Sequence, residues 1–342
     1  MGGSKSWWAG AVIASLLLSG IALPAVGYGG EKKGLTPVRY EEVIRSVFYL
    51  PSYVAFAKGY FKEEGLDVSM KTSWGSDKGT AALLSGNADI VLVGPETAVY
   101  IQKGESPVKV RIFCGLTATD GSMLVSRQKV QSFDWKNLKG KTILSWRVGS
   151  MPALFLDHIL RANGLDPAKD VNIITNLAAP ARHGAFVSGT GDFATFFEPD
   201  VAMMEKKGNG YFVASVGKAL GDIDYTVFMA TQPYIAKNPR VVQAWTNAIV
   251  KAQKYSHQAE PQVIAKEISE FFPQVDLDLI AQSVRRYRDL QILKKSPLVE
   301  PAAIQGLQDL LAEGGLLKKE QRVTYEEVVV TEFAKKAMGL AK

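Results

Sequence analysis

Strand-like and helix-like segments alternate in the first part of the chain. Residues 43–48, 66–71 and 89–94 predict strands, and the last of them is a nearly continuous apolar run of the kind found in buried parallel strands. Between them, residues 52–64 and 78–84 predict helices, the first with a clear apolar face. This order of elements predicts a doubly wound parallel α/β sheet.

The same alternation restarts after residue 108. Further strands are predicted at residues 109–116, 122–127, 142–146, 171–175, 192–197, 211–216 and 225–230. Most of the remaining chain is helical. We therefore expect an α/β protein of two lobes, with lobe 1 formed by residues 28–122 and 225–342, C-terminal helices included, and lobe 2 by residues 123–224. Open α/β sheets bind ligands at the carboxyl ends of their strands, so a cleft is expected there.

The composition agrees with a globular two-lobed protein. Hydrophobic residues make up 47% of the 342 residues and charged residues 22%, which argues against a disordered chain. The 40 basic and 34 acidic residues give a formal net charge of +6, but the basic residues form no run typical of a nucleic-acid site. The single cysteine, Cys114, lies in an apolar stretch and is predicted to be a core residue, so no disulfide within the chain is expected.

Residues 1–27 have the features of a secretory signal peptide. A weakly positive start with Lys5 precedes residues 7–26, which are almost wholly apolar, and Pro24 ends the apolar core. Small residues follow, and cleavage is predicted after Gly27. This segment contains no cysteine, which argues against a lipoprotein, so we expect export to the periplasm or the cell surface. The alternative is an uncleaved N-terminal anchor.

Several motifs resemble a known family of binding proteins. Residues 49–55 (YLPSYVA) and 59–68 (GYFKEEGLDV) look like the opening of the ABC-transporter solute-binding proteins of the nitrate/sulfonate/bicarbonate and thiamine-precursor family. Further similar segments are residues 85–90 (SGNADI), 94–96 (GPE), 149–150 (GS), 164–167 (GLDP), 189–192 (GTGD) and 197–199 (FEP). The order of these motifs, over roughly residues 40 to 255, is what carries the resemblance.

The resemblance implies a type II periplasmic-binding-protein fold, in which two doubly wound lobes are hinged about a ligand-binding cleft. It also implies a monomeric, extracytoplasmic component of an ABC importer, which delivers a small molecule to a permease with a separate ATPase subunit. It does not identify the ligand, because the family spans inorganic anions, sulfonates and pyrimidines.

Candidate ligand-binding residues are those expected at the carboxyl ends of strands or at the crossings between the lobes. They are Tyr49, Pro51, Tyr53, Trp74, Gly75, Glu96, Thr97, Thr117, Asp120, Ser150, Phe197, Glu198 and Tyr225. Aromatic rings could stack on a flat ligand, and N–H groups after the N-cap Ser150 could hold an acceptor group, assisted by Arg147 and Arg182. The structural alternatives are lobe packing for the rings, helix-dipole stabilisation for Glu96 and Glu198, and simple capping for Ser150.

The two glutamates favour a neutral or cationic ligand. A bare oxyanion about 4 Å from either carboxylate would meet a repulsion of roughly 4 kcal/mol at an effective dielectric constant of about 20. The aromatic candidates, which include Trp146, then favour a flat nitrogen heterocycle such as a thiamine-precursor aminopyrimidine. Nitrate stays open as an alternative, as does a sulfonate such as taurine, held at the Ser150 helix with its ammonium group near a glutamate.

An enzyme of the same fold is the competing class. Thiamine-pyrimidine synthases resemble this family and carry a histidine close after the first strand and a cysteine-rich segment. Here the first histidine is His158 and the only cysteine is Cys114, so both features lack counterparts. No pair among His158, His183 and His257 has the spacing of metal ligands. The sequence therefore predicts a binding protein without catalytic residues, metal or cofactor.

Overall fold

The computed structural model describes residues 34–340 of the chain. The predicted signal peptide, residues 1–27, lies outside this range. None of the helices within residues 34–340 combines the length and the apolar character that crossing a bilayer requires.

Two five-stranded sheets form the centre of the structure. In chain order the strands are β1 (Thr36–Glu42), β2 (Leu66–Thr72), β3 (Ile90–Val93), β4 (Val110–Gly115), β5 (Met123–Ser126), β6 (Thr142–Leu144), β7 (Asn172–Ile174), β8 (Phe193–Phe196), β9 (Tyr211–Ser215) and β10 (Val227–Thr231). The first sheet has the order β2-β1-β3-β10-β4 and the second has the order β7-β6-β8-β5-β9. The predicted two-lobed α/β architecture is therefore confirmed.

Each sheet is mixed, whereas the sequence pattern predicted parallel sheets. β10 runs antiparallel to β3 and β4, and β5 runs antiparallel to β8 and β9, while the other neighbours are parallel. Both antiparallel strands follow a crossing from one sheet to the other. Because the chain enters each of them from the edge that faces the other sheet, they run against their neighbours. Apolar patterning does not encode strand direction, so the sequence could not distinguish the two cases.

Helices flank both sheets. They are α1 (Leu50–Ala57), α2 (Tyr60–Glu63), α3 (Ser76–Leu84), α4 (Glu96–Lys103), α5 (Met151–Ala162), α6 (Ala179–Val187), α7 (Asp200–Lys207), α8 (Val216–Leu220), α9 (Gln232–Lys237), α10 (Pro239–Gln258), α11 (Pro261–Ile268), α12 (Leu277–Asp289), α13 (Pro301–Glu313), α14 (Tyr325–Val328) and α15 (Glu332–Ala337). Short 3-10 helices lie at Val47–Tyr49, Trp135–Leu138, Ser269–Phe271 and Lys319–Gln321. α10 packs against α1, α12 against α7 and α13 against α5, so the C-terminal helices contact elements associated with both sheets.

The first strand lies earlier than the sequence pattern predicts. β1 ends at Glu42, and residues 43–48 form an irregular segment that enters the first 3-10 helix. Val47 and Phe48 are buried at the junction of the two sheets, so their apolar side chains reflect that burial and not a strand. The Phe48 ring lies 5.2 Å from Phe197 and 6.0 Å from Tyr225, between centroids.

Some helices also differ from the prediction. The single helix expected at residues 52–64 is divided into α1 and α2, because Gly59 has a φ of +71°, a left-handed conformation that ends a helix. α6 was not predicted. Its short length and Gly184 weaken the helical pattern, and Pro180 in its first turn was the available signal.

Two crossing segments join the sheets, one from β4 to β5 and the other from α8 to β10. They are tied to each other by hydrogen bonds. The backbone N–H groups of Ile223 and Asp224 both donate to the carbonyl oxygen of Ala118 at 2.9 Å. The hydroxyl oxygens of Thr117 and Thr226 lie 2.8 Å apart. The predicted lobe boundaries fall in these segments and stay a prediction.

Candidate ligand-binding site

A cavity of about 740 Å³ lies between the two sheets, where β1, β2, β3, β6, β7 and β8 end. Its volume falls within the roughly 300–1,000 Å³ typical of small-molecule sites. The residues predicted from the sequence that line it are Tyr49, Trp74, Gly75, Glu96, Thr97, Ser150, Phe197 and Tyr225. The structure therefore brings together side chains that are far apart in the chain.

Aromatic rings form much of the cavity wall. The Phe197 ring, directly after β8, lies 5.3 Å from Trp146 and 5.2 Å from Phe48, between centroids. Tyr225, just before β10, lies 6.0 Å from the same Phe48 ring. Other rings in the lining are Tyr49, Trp74 and Tyr100. Rings that follow strands of both sheets thus meet in one cluster, which suits stacking on a flat ligand.

Glu96 contributes a buried carboxyl group to the cavity. It is the first residue of α4, it is 6% exposed, and its Oε2 has no hydrogen-bond partner among residues 34–340. Burial raises the pKa of this carboxyl to about 7, against the opposing effects of a backbone N–H and of Arg147. The side chain folds over Gly94, where a Cβ atom would lie 2.0 Å from Oε2. A carboxyl group with this pKa can both donate and accept hydrogen bonds near neutral pH.

Ser150 is the N-cap residue of α5, but its side chain does not cap the helix. Its hydroxyl donates to the carbonyl oxygen of Arg147 at 2.7 Å instead. The start of α5 and the start of α6, at Ala178, both line the cavity. Two helix N-termini, each the positive end of a helix dipole, therefore belong to the wall on the side of the second sheet.

The loop between β2 and α3 forms an exposed part of the cavity wall. Trp74 is 46% exposed and has a φ of +57°, an uncommon conformation for a residue other than glycine that recurs at ligand sites. Asp77, in the first turn of α3, pairs with Arg147 after β6, with 3.0 Å between Oδ1 and Nη2. This ion pair joins the two sides of the cavity.

Pro51 and Tyr53 do not line the cavity. Both lie in α1 and are buried. The Tyr53 hydroxyl donates to Oε2 of Glu42 at 2.6 Å and accepts a hydrogen bond from the backbone N–H of Ser46 at 3.2 Å. The ring packs 5.0 Å from that of Phe271. α1 directs these residues into the core beside the first sheet, whereas the sequence analysis expected them among the ligand-binding residues.

Thr117 and Asp120 lie in the first crossing segment, are fully buried and do not line the cavity. The Thr117 hydroxyl accepts a hydrogen bond from the backbone N–H of Thr226 at 3.0 Å, which holds the two crossings together. The Asp120 carboxylate accepts a hydrogen bond from the Ser122 hydroxyl. Burial raises the pKa of Asp120 to about 7, against the effect of Ser122.

Glu198 is fully buried, and its carboxylate is engaged by groups outside the cavity lining. Oε1 lies 2.7 Å from Nη1 of Arg286, and Oε2 accepts a hydrogen bond from the backbone N–H of Ala202 at 2.9 Å. Arg286 pairs with Glu205 as well. Burial raises the pKa of Glu198 to about 7, although Arg286 opposes the shift. Glu96 is then the single glutamate on which the electrostatic argument about the ligand depends.

Sequence reasoning missed other lining residues, among them Asp77, Thr80, Tyr100, Met151, Leu177 and Pro180. Tyr100 could have been found, because it lies four positions after Glu96 and so on the same face of α4. The first turn of α6 was not considered because α6 itself was not predicted. Trp146 was counted among the aromatic rings but not among the site residues.

In the described part of the chain, no histidine or cysteine lines the cavity. Nδ1 of His158 lies 2.8 Å from Glu313, and that of His183 lies 3.5 Å from Asp200. Cys114 is buried in β4, as predicted, and burial raises the pKa of its thiol. Over residues 34–340, no three histidine, cysteine, aspartate or glutamate side chains are grouped so that they could hold a metal ion.

Comparison with known proteins places the chain in a family. The NMT1/THI5-like family model matches residues 48–262. The chain is 40% identical over 306 residues to YtlA of Bacillus subtilis (strain 168), a protein named as a candidate binding protein, and the match covers 90% of this chain and 91% of YtlA. It is 26% identical over 254 residues to a 4-amino-5-hydroxymethyl-2-methylpyrimidine phosphate synthase of Candida albicans (strain WO-1), which covers 70% of this chain and 72% of the synthase.

A solved structure shows the same architecture. The periplasmic nitrate-binding protein NrtA of Synechocystis PCC 6803 matches with a TM-score of 0.74 and 17% identity, over 90% of this chain and 89% of NrtA. At this identity the likeness concerns the fold alone. The resemblance inferred from the motifs is thereby confirmed: the chain belongs to the NMT1/THI5-like family and has the fold of a periplasmic binding protein.

Proposed function

We propose that the chain is the solute-binding component of an ABC importer and captures a small molecule in the cavity between its two lobes. The names of its relatives support this function, because YtlA is named as a candidate binding protein and NrtA as a nitrate-binding protein. Two sheets joined by a pair of crossing segments suit a clamp whose lobes close on a ligand.

The proposed ligand is a flat nitrogen heterocycle, such as a thiamine-precursor aminopyrimidine. One observation carries this choice: Glu96, whose buried carboxyl Oε2 has no partner in residues 34–340, belongs to the lining of a cavity walled by aromatic rings. A carboxyl with a pKa of about 7 can accept a hydrogen bond from an exocyclic amino group and share a proton with the adjacent ring nitrogen. Phe197 and Trp146 both line the cavity, and in this proposal their rings stack on the heterocycle.

Nitrate and sulfonates are the competing ligands. A bare oxyanion about 4 Å from ionised Glu96 would be repelled by roughly 4 kcal/mol at an effective dielectric constant of about 20. The pairing of Glu198 with Arg286 removes the second carboxylate from this argument. Taurine avoids the repulsion if its ammonium group lies near Glu96 and its sulfonate lies near the start of α5, so it belongs in any ligand test.

An enzyme of the synthase type is the competing class. The Candida albicans relative named as a synthase is less similar to this chain than YtlA is. The lining of the cavity, as far as the structure describes it, contains neither histidine nor cysteine, the common general base and nucleophile. A binding protein returns its ligand unchanged, so mass spectrometry of ligand recovered after long incubation separates the two classes.

The proposed partners are a permease and a separate ATPase subunit. In this proposal the protein acts as an exported monomer, free in the periplasm or at the cell surface and without a lipid anchor. Fractionation of cells that express the full chain, followed by N-terminal sequencing of the exported form, tests this part. A new N-terminus after Gly27 is expected, whereas a chain retained in the membrane with residues 1–27 intact would favour the anchor.

A thermal-shift panel on the purified protein tests the ligand. The panel contains 4-amino-5-hydroxymethyl-2-methylpyrimidine, taurine, an alkanesulfonate, nitrate and bicarbonate. A ligand at about 100 times its Kd stabilises the folded state by roughly 2.7 kcal/mol, which raises Tm by several degrees in a protein of this size. We expect that rise with the pyrimidine. Stabilisation by nitrate or a sulfonate alone would contradict the heterocycle and keep the binding function.

A further inference from the structure

Trp74 has a backbone conformation that needs support from its surroundings. Its φ of +57° lies in the left-handed region, which is unfavourable for a bulky residue and persists only where neighbouring groups fix it. Trp74 lines the cavity and is 46% exposed, so burial in a core does not hold its ring. The hydrogen bonds of the loop between β2 and α3 therefore have to supply this support.

Hydrogen bonds on both sides of Trp74 fix the loop. Before it, the backbone N–H of Ser73 donates to the carbonyl oxygen of Glu42 at 2.8 Å, and the Ser73 hydroxyl lies 3.0 Å from the same oxygen. After it, the carbonyl oxygen of Gly75 accepts a hydrogen bond from the backbone N–H of Gly79 at 3.1 Å and lies 3.1 Å from the Ser73 hydroxyl. The loop is thus anchored to the end of β1, where Glu42 is the last residue.

The side chain of Glu42 anchors the same loop a second time. It is fully buried, and its Oε1 accepts a hydrogen bond from the Thr72 hydroxyl at 2.9 Å and lies 2.8 Å from Nε of Arg45. Nη2 of Arg45 donates to Oγ1 of Thr72 at 3.1 Å, which closes the triangle. Oε2 accepts a hydrogen bond from the Tyr53 hydroxyl. Both carboxylate oxygens therefore have donors, and a fully paired buried network of this kind makes the segments that it joins rigid.

We infer that Glu42 is a positioning residue for ligand binding: it fixes the loop that carries Trp74 and does not itself touch the ligand. The inference rests on the proposed function, because it takes the cavity as the ligand site. Glu42 is not in the cavity lining, whereas Trp74 is, as are residues 43–44, which follow Glu42 directly. A flat ligand then meets an indole ring that is already in place, so binding does not require the ordering of a mobile ring.

A measurement without ligand tests the positioning directly. Fluorine NMR of protein labelled with 5-fluorotryptophan reports on each tryptophan ring, and the spectrum of Trp74→Phe assigns the Trp74 resonance. Wild-type protein should give one narrow resonance for Trp74. Glu42→Gln places an amide NH₂ group where a carboxylate oxygen accepts hydrogen bonds, so it should broaden or divide this resonance. A Trp74 resonance that stays single and narrow in Glu42→Gln overturns the inference. If Glu42→Gln does not fold, Thr72→Val, which removes the hydroxyl that joins the loop to Glu42, decides the question in the same way.

Thr246→Val is the matched control. Thr246 is a fully buried residue of α10 that does not line the cavity, and its hydroxyl donates to the carbonyl oxygen of Val242 at 2.8 Å. The control removes a threonine hydroxyl, as Thr72→Val does, so it should lower Tm and leave the Trp74 resonance unchanged. Equal broadening in the control would mean a general loosening of the protein and would contradict a role specific to the loop.

A double-mutant cycle tests whether Glu42 acts through Trp74. The compound 4-amino-5-hydroxymethyl-2-methylpyrimidine is titrated calorimetrically into wild-type protein, Glu42→Gln, Trp74→Ala and the double variant. One aromatic contact or hydrogen bond corresponds to about 2- to 10-fold in affinity. Glu42→Gln should weaken binding by about that factor in the wild-type background and cause no further loss in Trp74→Ala. A loss of the same size in both backgrounds overturns action through Trp74.

The outcomes separate the positioning role from the proposed ligand. If the pyrimidine binds and the Trp74 resonance stays narrow in Glu42→Gln, the heterocycle stands and the positioning role falls. If the pyrimidine does not bind wild-type protein, the proposed heterocycle is overturned. The fluorine spectra then still decide whether Glu42 fixes Trp74, because they need no ligand, and the cycle is repeated with the compound of the thermal-shift panel that does bind.

Discussion

Two strand-to-helix turns that look alike in the sequence differ in the structure. β3 leads into α4 through residues 94–96 (GPE), and β8 leads into α7 through residues 197–199 (FEP). Each turn places a glutamate beside a proline at the carboxyl end of a strand. Glu96 lines the cavity without a partner in the described residues, whereas Glu198 is fully buried and lies 2.7 Å from Arg286.

The difference comes from a helix far along the chain. Arg286 on α12 is 88 positions from Glu198 in sequence and reaches it because α12 packs against α7. At the other turn, the space in front of Glu96 belongs to the cavity. The topology of the sheet therefore places an acidic residue at a strand end near the cleft. Whether a ligand can contact this residue depends on packing by distant parts of the chain, which the local sequence does not show.

The largest effect is expected where the glutamate is paired. Glu198→Ala should lower the free energy of unfolding by about 3–5 kcal/mol, because it breaks a buried ion pair, leaves Arg286 with Glu205 alone and removes the acceptor of the Ala202 N–H. Urea unfolding measures this loss. Ligand affinity of the folded variant should stay within a few-fold of wild type, since Glu198 does not line the cavity. A Glu198→Ala variant that is as stable as wild type but no longer binds the ligand would mean that Glu198, and not Glu96, is the glutamate that contacts the ligand.

A smaller and different effect is expected at the unpaired glutamate. Glu96→Gln should weaken binding of the aminopyrimidine by about 1.5–3 kcal/mol, the usual contribution of a hydrogen bond to a charged group, without lowering stability. Calorimetric titration measures the affinity. Asp77→Asn is the matched control, because Asp77 also lines the cavity but is exposed and paired with Arg147. Equal losses in both variants would mean that general charge, and not a contact with Glu96, controls binding.

The raised pKa of Glu96 makes stability depend on pH. In the folded protein the Glu96 carboxyl keeps its proton up to a pH of about 7, whereas in the unfolded chain it loses the proton near pH 4.5. The protonated carboxyl therefore makes its full contribution to the free energy of unfolding at low pH, and this contribution is lost as the pH rises to about 7. Between pH 5.5 and 7.5 the wild type should lose about 2 kcal/mol more unfolding free energy than Glu96→Gln. Urea unfolding at both pH values checks this. Equal losses of unfolding free energy in the wild type and in Glu96→Gln would contradict the presence of a proton on Glu96 in the folded state.

Much of the fold could be predicted from the sequence, because it follows from local patterns. The apolar run at β3 and the glycine and proline residues that bound the helices are sufficient to predict two α/β lobes. Strand direction and the first strand could not be predicted. Val47 and Phe48 are buried, and Phe48 packs against Phe197, which follows β8 of the other sheet; no local pattern distinguishes that burial from a strand.

The site residues that lie at the ends of strands could be predicted from the sequence. Tyr49, Trp74 and Glu96 follow strands or precede helices, so the topology of the sheet places them at the cavity. Arg182 illustrates the limit. The sequence suggested a supporting role near an anion, but its burial behind Trp146 depends on α6, a helix that the pattern did not indicate.

The smallest expected effect concerns a third acidic residue, Asp77, which is paired like Glu198 but exposed, with 65% of its side chain accessible. Its partner Arg147 follows β6, so the pair joins the two sides of the cavity. Exposed ion pairs contribute about 0–1 kcal/mol and weaken with salt. Arg147→Ala should therefore weaken ligand binding at most about five-fold at low salt and not at all in 1 M NaCl, measured by titration. A loss of more than tenfold at both salt concentrations would instead mean that Arg147 touches the ligand, and that pairing with Asp77 is not its main role.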